Sequence, residues 1–276
     1  MSKLKMLQRE EQKFTPPIRF HRPSWLSAAL FATFIGFLLW SASRTGFSIT
    51  ELWAGLPNMA TIASEMVPPS TSRIGPVANA ILVTFQMALV GTVIGILLSI
   101  PLALLAARNI CNIAWLRHAV RALVSFFRTV PDLAWALFFV ASVGLGPFAG
   151  TMTIIIDTIG FCARFFAESI EEVDPAPAEA LSSIGASSCD RIAVALIPGA
   201  LPSLVNTSLF SLEKAVRSSV VLGLVGAGGI GAELAVSMEM FRYDESATIV
   251  LMIFVLVLAV EQFSSHIRER LMQQHN

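Results

Sequence analysis

Runs of uncharged, apolar residues divide the chain into segments of the length that crosses a lipid bilayer. A transmembrane helix needs about 20 such residues to span a hydrocarbon core of about 30 Å. The first run lies between Arg22 and Arg44, and Trp25 and Trp40 stand near its ends, where interfacial tryptophans are common. Along the whole chain this criterion predicts six membrane-spanning helices, at about 23–43, 77–106, 121–143, 148–168, 193–214 and 246–264.

A glycine-rich stretch separates the third predicted span from the fourth. Residues 144–150 contain three glycines and Pro147, which do not fit the interior of a regular helix. We therefore predict a tight turn there. The small residues 41–43 after the first span also fit a signal-cleavage site, but the long apolar run and its long charged leader favour an uncleaved helix.

The amino-acid composition supports a lipid environment. Of 276 residues, 55% are hydrophobic and 14% are charged, whereas soluble domains carry about 25% charged residues. The mean hydropathy is +0.70. The formal net charge is zero, so bulk charge indicates no nucleic-acid partner. Three scattered cysteines and four histidines lack the spacing of a disulfide framework or a metal site, so we predict neither.

The distribution of basic residues predicts the orientation in the membrane. Six of the first 22 residues are Lys or Arg, and four arginines without an acid lie between the second and third spans. Loops rich in Lys and Arg stay on the cytoplasmic side. We therefore expect both termini in the cytoplasm, which agrees with an even number of spans.

Gly226, Gly228 and Gly231 form a G-x-G-x-x-G pattern after an apolar run, as in dinucleotide-binding folds. Those folds also need a buried parallel sheet and an acid about 20 residues after the glycines. Here that position falls in the apolar run at 247–260, which fits a membrane span better. No G-x-x-x-x-G-K-[ST] motif is present, so we do not expect this chain to bind ATP or NAD by itself.

In a membrane protein these glycines have two other interpretations. Irregular backbone at membrane depth persists where it is packed in protein or lines a water-filled cavity. Gly226, Gly228, Gly229 and Gly231 could therefore line or gate a translocation path, or let two helices pack closely. The sequence leaves both interpretations open.

Two charged residues lie in or next to the predicted fifth span. Glu213 and Arg217 are four residues apart and share one helix face. They could neutralise each other, because an unpaired charge in lipid costs about 2.5–3.5 kcal/mol. Alternatively, Arg217 lines the path and attracts an anion. We expect the neighbouring Lys214 to extend toward the membrane interface.

Two acids occur near other spans. Asp157, in the fourth span, has Arg164 as its candidate partner on roughly the same face, and we expect it to serve packing or gating. Asp132 follows Pro131 at a predicted helix start, so we expect it in a first turn near the cytoplasmic interface.

Between the fourth and fifth spans the sequence predicts a short helix-turn-helix at about 174–198. Asp174 is a suitable N-cap, and Pro175 suits the first helical position. Glu179 follows in an early turn, and Gly185 can end the helix in a left-handed conformation. On the cytoplasmic face, this element is well placed to bind a soluble partner.

The same stretch resembles the EAA motif of ABC-importer permeases, E-A-A-x3-G-x9-I-x-L-P. The corresponding positions here are Glu179, Ala180, Leu181, Gly185, Ala195, Ile197 and Pro198. Leu181, Ala195 and Ile197 are apolar exchanges within the motif. Three further stretches, 58–70, 143–150 and 216–231, look like permeases of the phosphonate family of ABC importers.

The resemblance implies an all-α integral membrane protein with six transmembrane helices and the type I ABC-importer permease (MetI-like) fold. It implies a permease core over 77–265 that contains the loop at 174–198. Before this core we expect a cytoplasmic arm at 1–22, a first transmembrane helix at 23–43 and a periplasmic segment at 44–76. After it we expect a cytoplasmic tail at 266–276.

The resemblance also implies partners in the bacterial inner membrane: a second copy of the chain, two ATP-binding cassette subunits and a periplasmic binding protein. ATP and Mg would bind to the ATPase subunits, and this chain would hold no cofactor and no catalytic residue. In that family the loop with Glu179, Ala180, Leu181 and Gly185 is the coupling helix that seats in the ATPase.

The implied substrate is phosphonate or a related oxyanion such as phosphite, hypophosphite or phosphate. Three alternatives stay open: an importer permease for another solute such as an amino acid, an ion-coupled secondary transporter, and a membrane-bound oxidoreductase.

Overall fold

The computed structural model describes residues 25–273, and every regular element in that range is helical. The chain divides into two units, with the boundary between Ala60 and Thr61. The predicted cytoplasmic arm at 1–22 lies outside the described residues. In chain order the helices are α1 Trp25–Arg44, α2 Ile49–Glu65, α3 Ile74–Ala106, α4 Ala114–Thr129, α5 Asp132–Val143, α6 Pro147–Glu171, α7 Ala176–Ser183, α8 Ser188–Arg191, α9 Ile197–Leu222, α10 Ile230–Glu239 and α11 Tyr243–Gln273.

The first unit contains α1, a 20-residue apolar helix long enough to cross a membrane. None of its residues is buried. Trp25 and Trp40 stand at its two ends and are 80% and 60% exposed. This helix covers nearly all of the first predicted span. Helix α2 begins in the first unit and occupies much of the segment 44–76 that we expected to be periplasmic.

In the second unit, α3 and α6 pack closely through small residues. A Cβ atom added at Gly91 would lie 2.6 Å from Cγ2 of Ile154, and one at Gly95 would lie 2.5 Å from Cβ of Thr158. Burial of apolar surface gives helices no net attraction in lipid, so close packing through small residues stabilises such pairs. The two glycines therefore set the distance between the two helices.

The third predicted span, 121–143, is broken where we expected a continuous helix. Helices α4 and α5 are bent by 87° at residues 130–131. Pro131 lacks the amide hydrogen that would continue α4, and it forces Val130 into an extended conformation with ψ 124°. Five other helical segments are long and apolar enough to cross a membrane, which gives six crossings when the bent pair counts as one.

The predicted turn between the third and fourth spans is confirmed. Gly144 and Gly146 have φ angles of 94° and 133°, and α6 begins at Pro147. The later spans are longer than predicted. A π-helical turn joins α8 to α9, and a second one follows α9, so that one long helical segment runs over Ser188–Ala227. Helix α11 likewise extends beyond the predicted range 246–264 at both ends.

Candidate functional site

The loop at 174–198, called the EAA-like loop below, folds as the predicted helix-turn-helix. The Asp174 carboxylate accepts a hydrogen bond from the amide of Ala176 at 3.0 Å, which caps α7. Gly185 has φ +85° and ends the helix. The amide of Ala186 donates to the carbonyl of Leu181 at 3.1 Å, and that of Gly185 donates to Ser182 at 3.1 Å. This pair of bonds is the Schellman arrangement that a left-handed glycine permits.

The outer surface of this loop is exposed and lacks a packing partner among residues 25–273. Glu179, Ala180 and Gly185 are exposed, whereas Leu181 is half-buried. Ile184 is 81% exposed, which is unusual for a branched apolar side chain on a polar loop. Ile184 was not selected from the sequence, because an apolar residue at the end of a short amphipathic helix is usually assigned to its buried side.

Beneath the EAA-like loop, one carboxylate joins the end of α6 to α4 and to the segment that follows α3. Glu171, at the end of α6, forms an ion pair with Arg121 of α4 and accepts a hydrogen bond from the amide of Arg108 at 2.6 Å. The Nδ2 of Asn109 also donates to the carbonyl of Ile170 at 2.7 Å. We had used the arginines between the second and third spans only for orientation, so this ionic clasp was missed.

The glycine segment, residues 223–231, packs against two other parts of the chain. The carbonyl of Gly226, which has φ +92°, accepts a hydrogen bond from the amide of Gly146 at 2.9 Å. The amide of Ile230 donates to the hydroxyl of Thr84 on α3 at 2.8 Å. The carbonyl oxygen of Val220 fills the space that a Cβ of Gly231 would occupy.

Two more predicted residues, Gly228 and Gly229, also have positive φ angles, 77° and 74°. The four glycines therefore do come together in one irregular segment at the end of α9. The geometry shows close packing of backbone. It leaves the path-lining or gating role of these residues a prediction.

The predicted pair of Glu213 with Arg217 is wrong. Glu213 is buried and forms an ion pair with Arg268 of α11. Arg217 is exposed and has no ion-pair or hydrogen-bond partner within residues 25–273. The spacing of four residues allowed an intrahelical pair, but the guanidinium of α11 lies closer to Glu213.

The predicted partner of Asp157 is also wrong. Lys214 of α9 binds Asp157 with a nitrogen–oxygen distance of 2.6 Å, and its Nζ lies 5.4 Å from the ring centroid of Phe161. Lys214 therefore points into the protein, not toward the membrane interface as we expected. Arg164 pairs instead with Glu168, four residues away on its own helix, at 2.8 Å.

Arg217 lines a cavity of about 380 Å3 between the start of α5 and the second half of α9. The other lining residues are Pro131, Asp132, Leu133, Ser218, Val221 and Leu222. We call it the α5–α9 cavity. Ser218 Oγ donates to Oδ2 of Asp132 at 3.1 Å.

This contact locates Asp132 along α9. The residue does begin a helix, as expected. Ser218, however, is 21 residues beyond the start of α9 at Ile197, a distance of about 30 Å along a helix. Asp132 therefore lies far from the EAA-like loop along α9, and its expected position near the cytoplasmic interface stays a prediction.

No strand forms within residues 25–273, so that range lacks the parallel sheet of a dinucleotide-binding fold. Residues 99–272 match the family described as "Binding-protein-dependent transport system inner membrane component". Members of this family are multi-pass inner membrane permeases of ABC importers, not enzymes. They work with an ATPase and a binding protein.

Several relatives carry the names of transport permeases. The chain is 42% identical over 211 residues to the phosphate-import permease protein PhnE of Mycolicibacterium smegmatis, covering 76% of this chain and 40% of that protein. It is 35% identical over 246 residues to the phosphite transport system permease protein PtxC of Stutzerimonas stutzeri, covering 89% and 90% respectively. The chain thus spans two fifths of the mycobacterial relative but nine tenths of the phosphite permease.

The fold also matches a solved transporter. The MetNI methionine ABC transporter, in an inward-facing conformation, aligns with a TM-score of 0.66 at 24% identity, over 73% of this chain and 99% of that one. This match confirms the predicted MetI-like permease fold. The family match extends over more than half of the sequence and includes the EAA-like loop, the glycine segment and the α5–α9 cavity. The chain therefore belongs to the family of inner membrane components of binding-protein-dependent transport systems.

Proposed function

We propose that the chain imports a phosphorus oxyanion, such as phosphite, phosphate or a phosphonate, as one half of a dimeric permease. Relatives named for phosphate import and for phosphite transport share 42% and 35% identity with it. A second copy supplies the other half of the path, two ATPase subunits bind ATP and Mg, and a binding protein delivers the anion. Both termini lie in the cytoplasm.

The main support for an anion path is that Arg217 has no ion-pair partner within residues 25–273. It stands inside the 26-residue helix α9 and is exposed. A charge that faced lipid there would cost about 2.5–3.5 kcal/mol. A guanidinium that faces a water-filled path instead offers several N–H donors in a geometry that suits oxyanions.

Coupling to the ATPase runs through the EAA-like loop. Exposed Glu179 and Ala180 and the exposed side chain of Ile184 form the surface that docks into the ATPase, with Gly185 fixing the helix end. The ionic clasp at Glu171 lies directly beneath and transmits the motion of the loop to α3, α4 and α6.

The glycine segment acts as the gate at the other end of α9. Its backbone is bonded to the turn at 144–146 and to Thr84, so a displacement of α9 breaks or forms these bonds together. Gly226, Gly228, Gly229 and Gly231 allow that change because no side chain blocks the approach of neighbouring backbone.

Transport by the complete complex tests the substrate and the path. Permease and ATPase subunits are reconstituted in liposomes with the binding protein, and uptake of radiolabelled phosphite and phosphate is measured with and without ATP. Arg217→Gln is expected to lower uptake at least about tenfold, because it removes a charge-assisted contact of about 1.5–3 kcal/mol. Arg164→Gln is the matched control, since Arg164 is paired on the surface of α6.

Uptake of methionine but of no phosphorus oxyanion would assign the chain to an amino-acid importer instead. Uptake without ATP in a maintained ion gradient would assign it to the secondary carriers. Equal uptake by Arg217→Gln and wild type would remove Arg217 from the path.

A second assay tests coupling. Glu179→Lys and Gly185→Asp are expected to leave the permease inserted but to abolish solute-stimulated ATP hydrolysis. Glu239→Lys, at the exposed end of α10, controls for the added positive charge. Normal stimulation in the loop variants would show that another surface contacts the ATPase.

A further inference from the structure

The α5–α9 cavity holds an acid as well as a base. Asp132 and Arg217 both line it, and no ion pair or hydrogen bond joins them. One carboxylate oxygen of Asp132 accepts a hydrogen bond from Ser218. A cavity that served only to attract anions would have no use for Asp132, because a carboxylate repels them.

Asp132 is the carboxylate that lines the cavity and can accept a hydrogen bond from a ligand there. Its carboxyl group interacts with that of Asp157, which belongs to α6 and does not line the cavity. Asp157 is held by Lys214 at 2.6 Å. The charge of Asp157 is therefore matched by a cation from α9, and Asp132 has no cation of its own within 4.0 Å in the described part of the chain.

The neighbours of Arg217 leave its guanidinium without a partner. Arg217 also borders a second, narrower cavity, which Glu213 and Glu261 line as well. Glu213 is bound to Arg268, and Glu261 is exposed and makes no ion pair with Arg217. The two charged groups of the α5–α9 cavity thus sum to zero, and each has hydrogen-bonding capacity left.

A carboxylate can lie next to a bound anion when the anion carries a hydroxyl group that donates a hydrogen bond to the carboxylate. An ionised carboxylate only accepts hydrogen bonds, and a guanidinium only donates them. Monobasic phosphate carries two P–OH donors, the monoanions of phosphite and of organic phosphonates carry one, and all of them also have anionic oxygens. Sulfate at neutral pH carries no proton, and the hypophosphite anion has P–H bonds but no P–OH.

We propose that the α5–α9 cavity binds a phosphorus oxyanion that carries one negative charge and at least one P–OH group, with Arg217 donating to its anionic oxygens and Asp132 accepting from the P–OH group. This inference rests on the proposed function and adds a specificity to it. The cavity accepts phosphate, phosphite and phosphonate monoanions and rejects sulfate and hypophosphite. A polar site that is left unpaired by an analogue without the hydroxyl discriminates strongly against that analogue.

Competition binding on the assembled complex tests this specificity without the binding protein, whose own selectivity would mask it. The permease–ATPase complex in lipid nanodiscs is incubated with radiolabelled inorganic phosphate, both without nucleotide and trapped with ATP and vanadate. Unlabelled phosphite, sulfate and hypophosphite serve as competitors. We expect phosphite to compete at least about tenfold better than sulfate or hypophosphite in the state that binds phosphate.

Asp132→Asn is the diagnostic variant, because an amide can donate to an unprotonated oxygen. It is expected to bring sulfate competition to within about threefold of phosphite. Asp132→Glu keeps a carboxylate and is expected to keep the rejection of sulfate, so it preserves the test if the amide variant does not assemble. Glu261→Gln removes an acid on the far side of Arg217 and is the matched control, with unchanged preference.

Three results would overturn the inference: no phosphate binding in either state, equal competition by sulfate in the wild type, or full rejection of sulfate in Asp132→Asn. The proposed function is judged separately, by ATP-dependent uptake of phosphite or phosphate by the wild-type complex with its binding protein. Normal uptake with any of the three results refutes the site and leaves the function intact.

Discussion

Replacing Gly223 with alanine tests the close packing at the end of α9. Gly223 has ordinary helical backbone angles, φ −58° and ψ −34°, so alanine causes no backbone strain of its own. A Cβ atom added there would lie 2.7 Å from the carbonyl oxygen of Gly228 and 2.7 Å from Cα of Gly231. Both contacts are with backbone, which cannot rotate out of the way as a side chain can.

The expected cost follows from these distances. Ordinary contacts of a Cβ begin at 3.4 Å, so the segment must move by about 0.7 Å. Overpacking of this kind costs about 1–3 kcal/mol. Alanine also gains up to about 1 kcal/mol of helix propensity over glycine. We therefore expect a net loss of about 1–2 kcal/mol of stability in the Gly223→Ala permease.

Gly75→Ala is the matched control, since Gly75 is also helical and has no atom within 4 Å of its added Cβ. It is expected to be neutral or slightly stabilising. Free energies of unfolding are measured in mixed micelles by tryptophan fluorescence. If the two variants differ by less than about 0.5 kcal/mol, the glycine segment does not pack as described, and the argument for a gate built on that packing fails with it.

Three shorter predictions concern other contacts. Lys214→Met leaves Asp157 without its cation and should lower the free energy of unfolding by about 2 kcal/mol. Adding Asp157→Asn to the same chain should restore most of that loss. Unfolding in micelles measures both variants, and no recovery in the double variant would contradict the pairing. Gly185→Ala places a side chain at φ +85° and should raise amide exchange in residues 176–186 by about fivefold; unchanged exchange would mean that the left-handed end is not required. Glu171→Gln should loosen the clasp to Arg121, so that exchange in residues 107–113 rises about tenfold; protection equal to wild type would show that the ion pair contributes nothing.

The EAA-like loop could be predicted from the sequence because its signals are local. Asp174 caps the helix from two residues away, and Gly185 ends it by its own backbone conformation. Neither effect depends on which other helix lies nearby. The resemblance to importer permeases rested largely on this loop, and the family match confirms it.

Ion-pair partners could not be predicted because they come from distant parts of the chain. Glu213 and Arg268 are 55 residues apart, and Asp157 and Lys214 are 57 residues apart. Sequence spacing identifies partners only on the same helix, where residues three or four apart are neighbours. In a bundle, the closest opposite charge depends on which helices pack together.

The break at Pro131 was predictable in position but not in angle. The proline marked a helix start in the sequence, yet the apolar run on both sides favoured one continuous span. The 87° bend depends on where α4 is held, and Arg121 fixes it through Glu171 and through the carbonyl of Ala106, to which its Nε donates at 2.8 Å. Glu171 and Ala106, the partners of Arg121, lie outside the span that bends.

The polar residues in the second half of α9 lie on two faces of the helix, and each face needs polar neighbours. Lys214 and Ser218 share one face, and Glu213 and Arg217 share another, about 100° around the helix. The first face meets Asp157 and Asp132, and the second meets α11 through Glu213 but leaves Arg217 uncovered within residues 25–273.

Because lipid disfavours that guanidinium, either a second copy or the water of a path must cover Arg217. Arg217→Gln separates these two roles. If a second copy covers the arginine, the variant should dissociate to monomers in detergent, as measured by light scattering. If water and the anion cover it, the proposed dimer should persist while uptake is lost, and the specificity argued for Asp132 requires this second outcome.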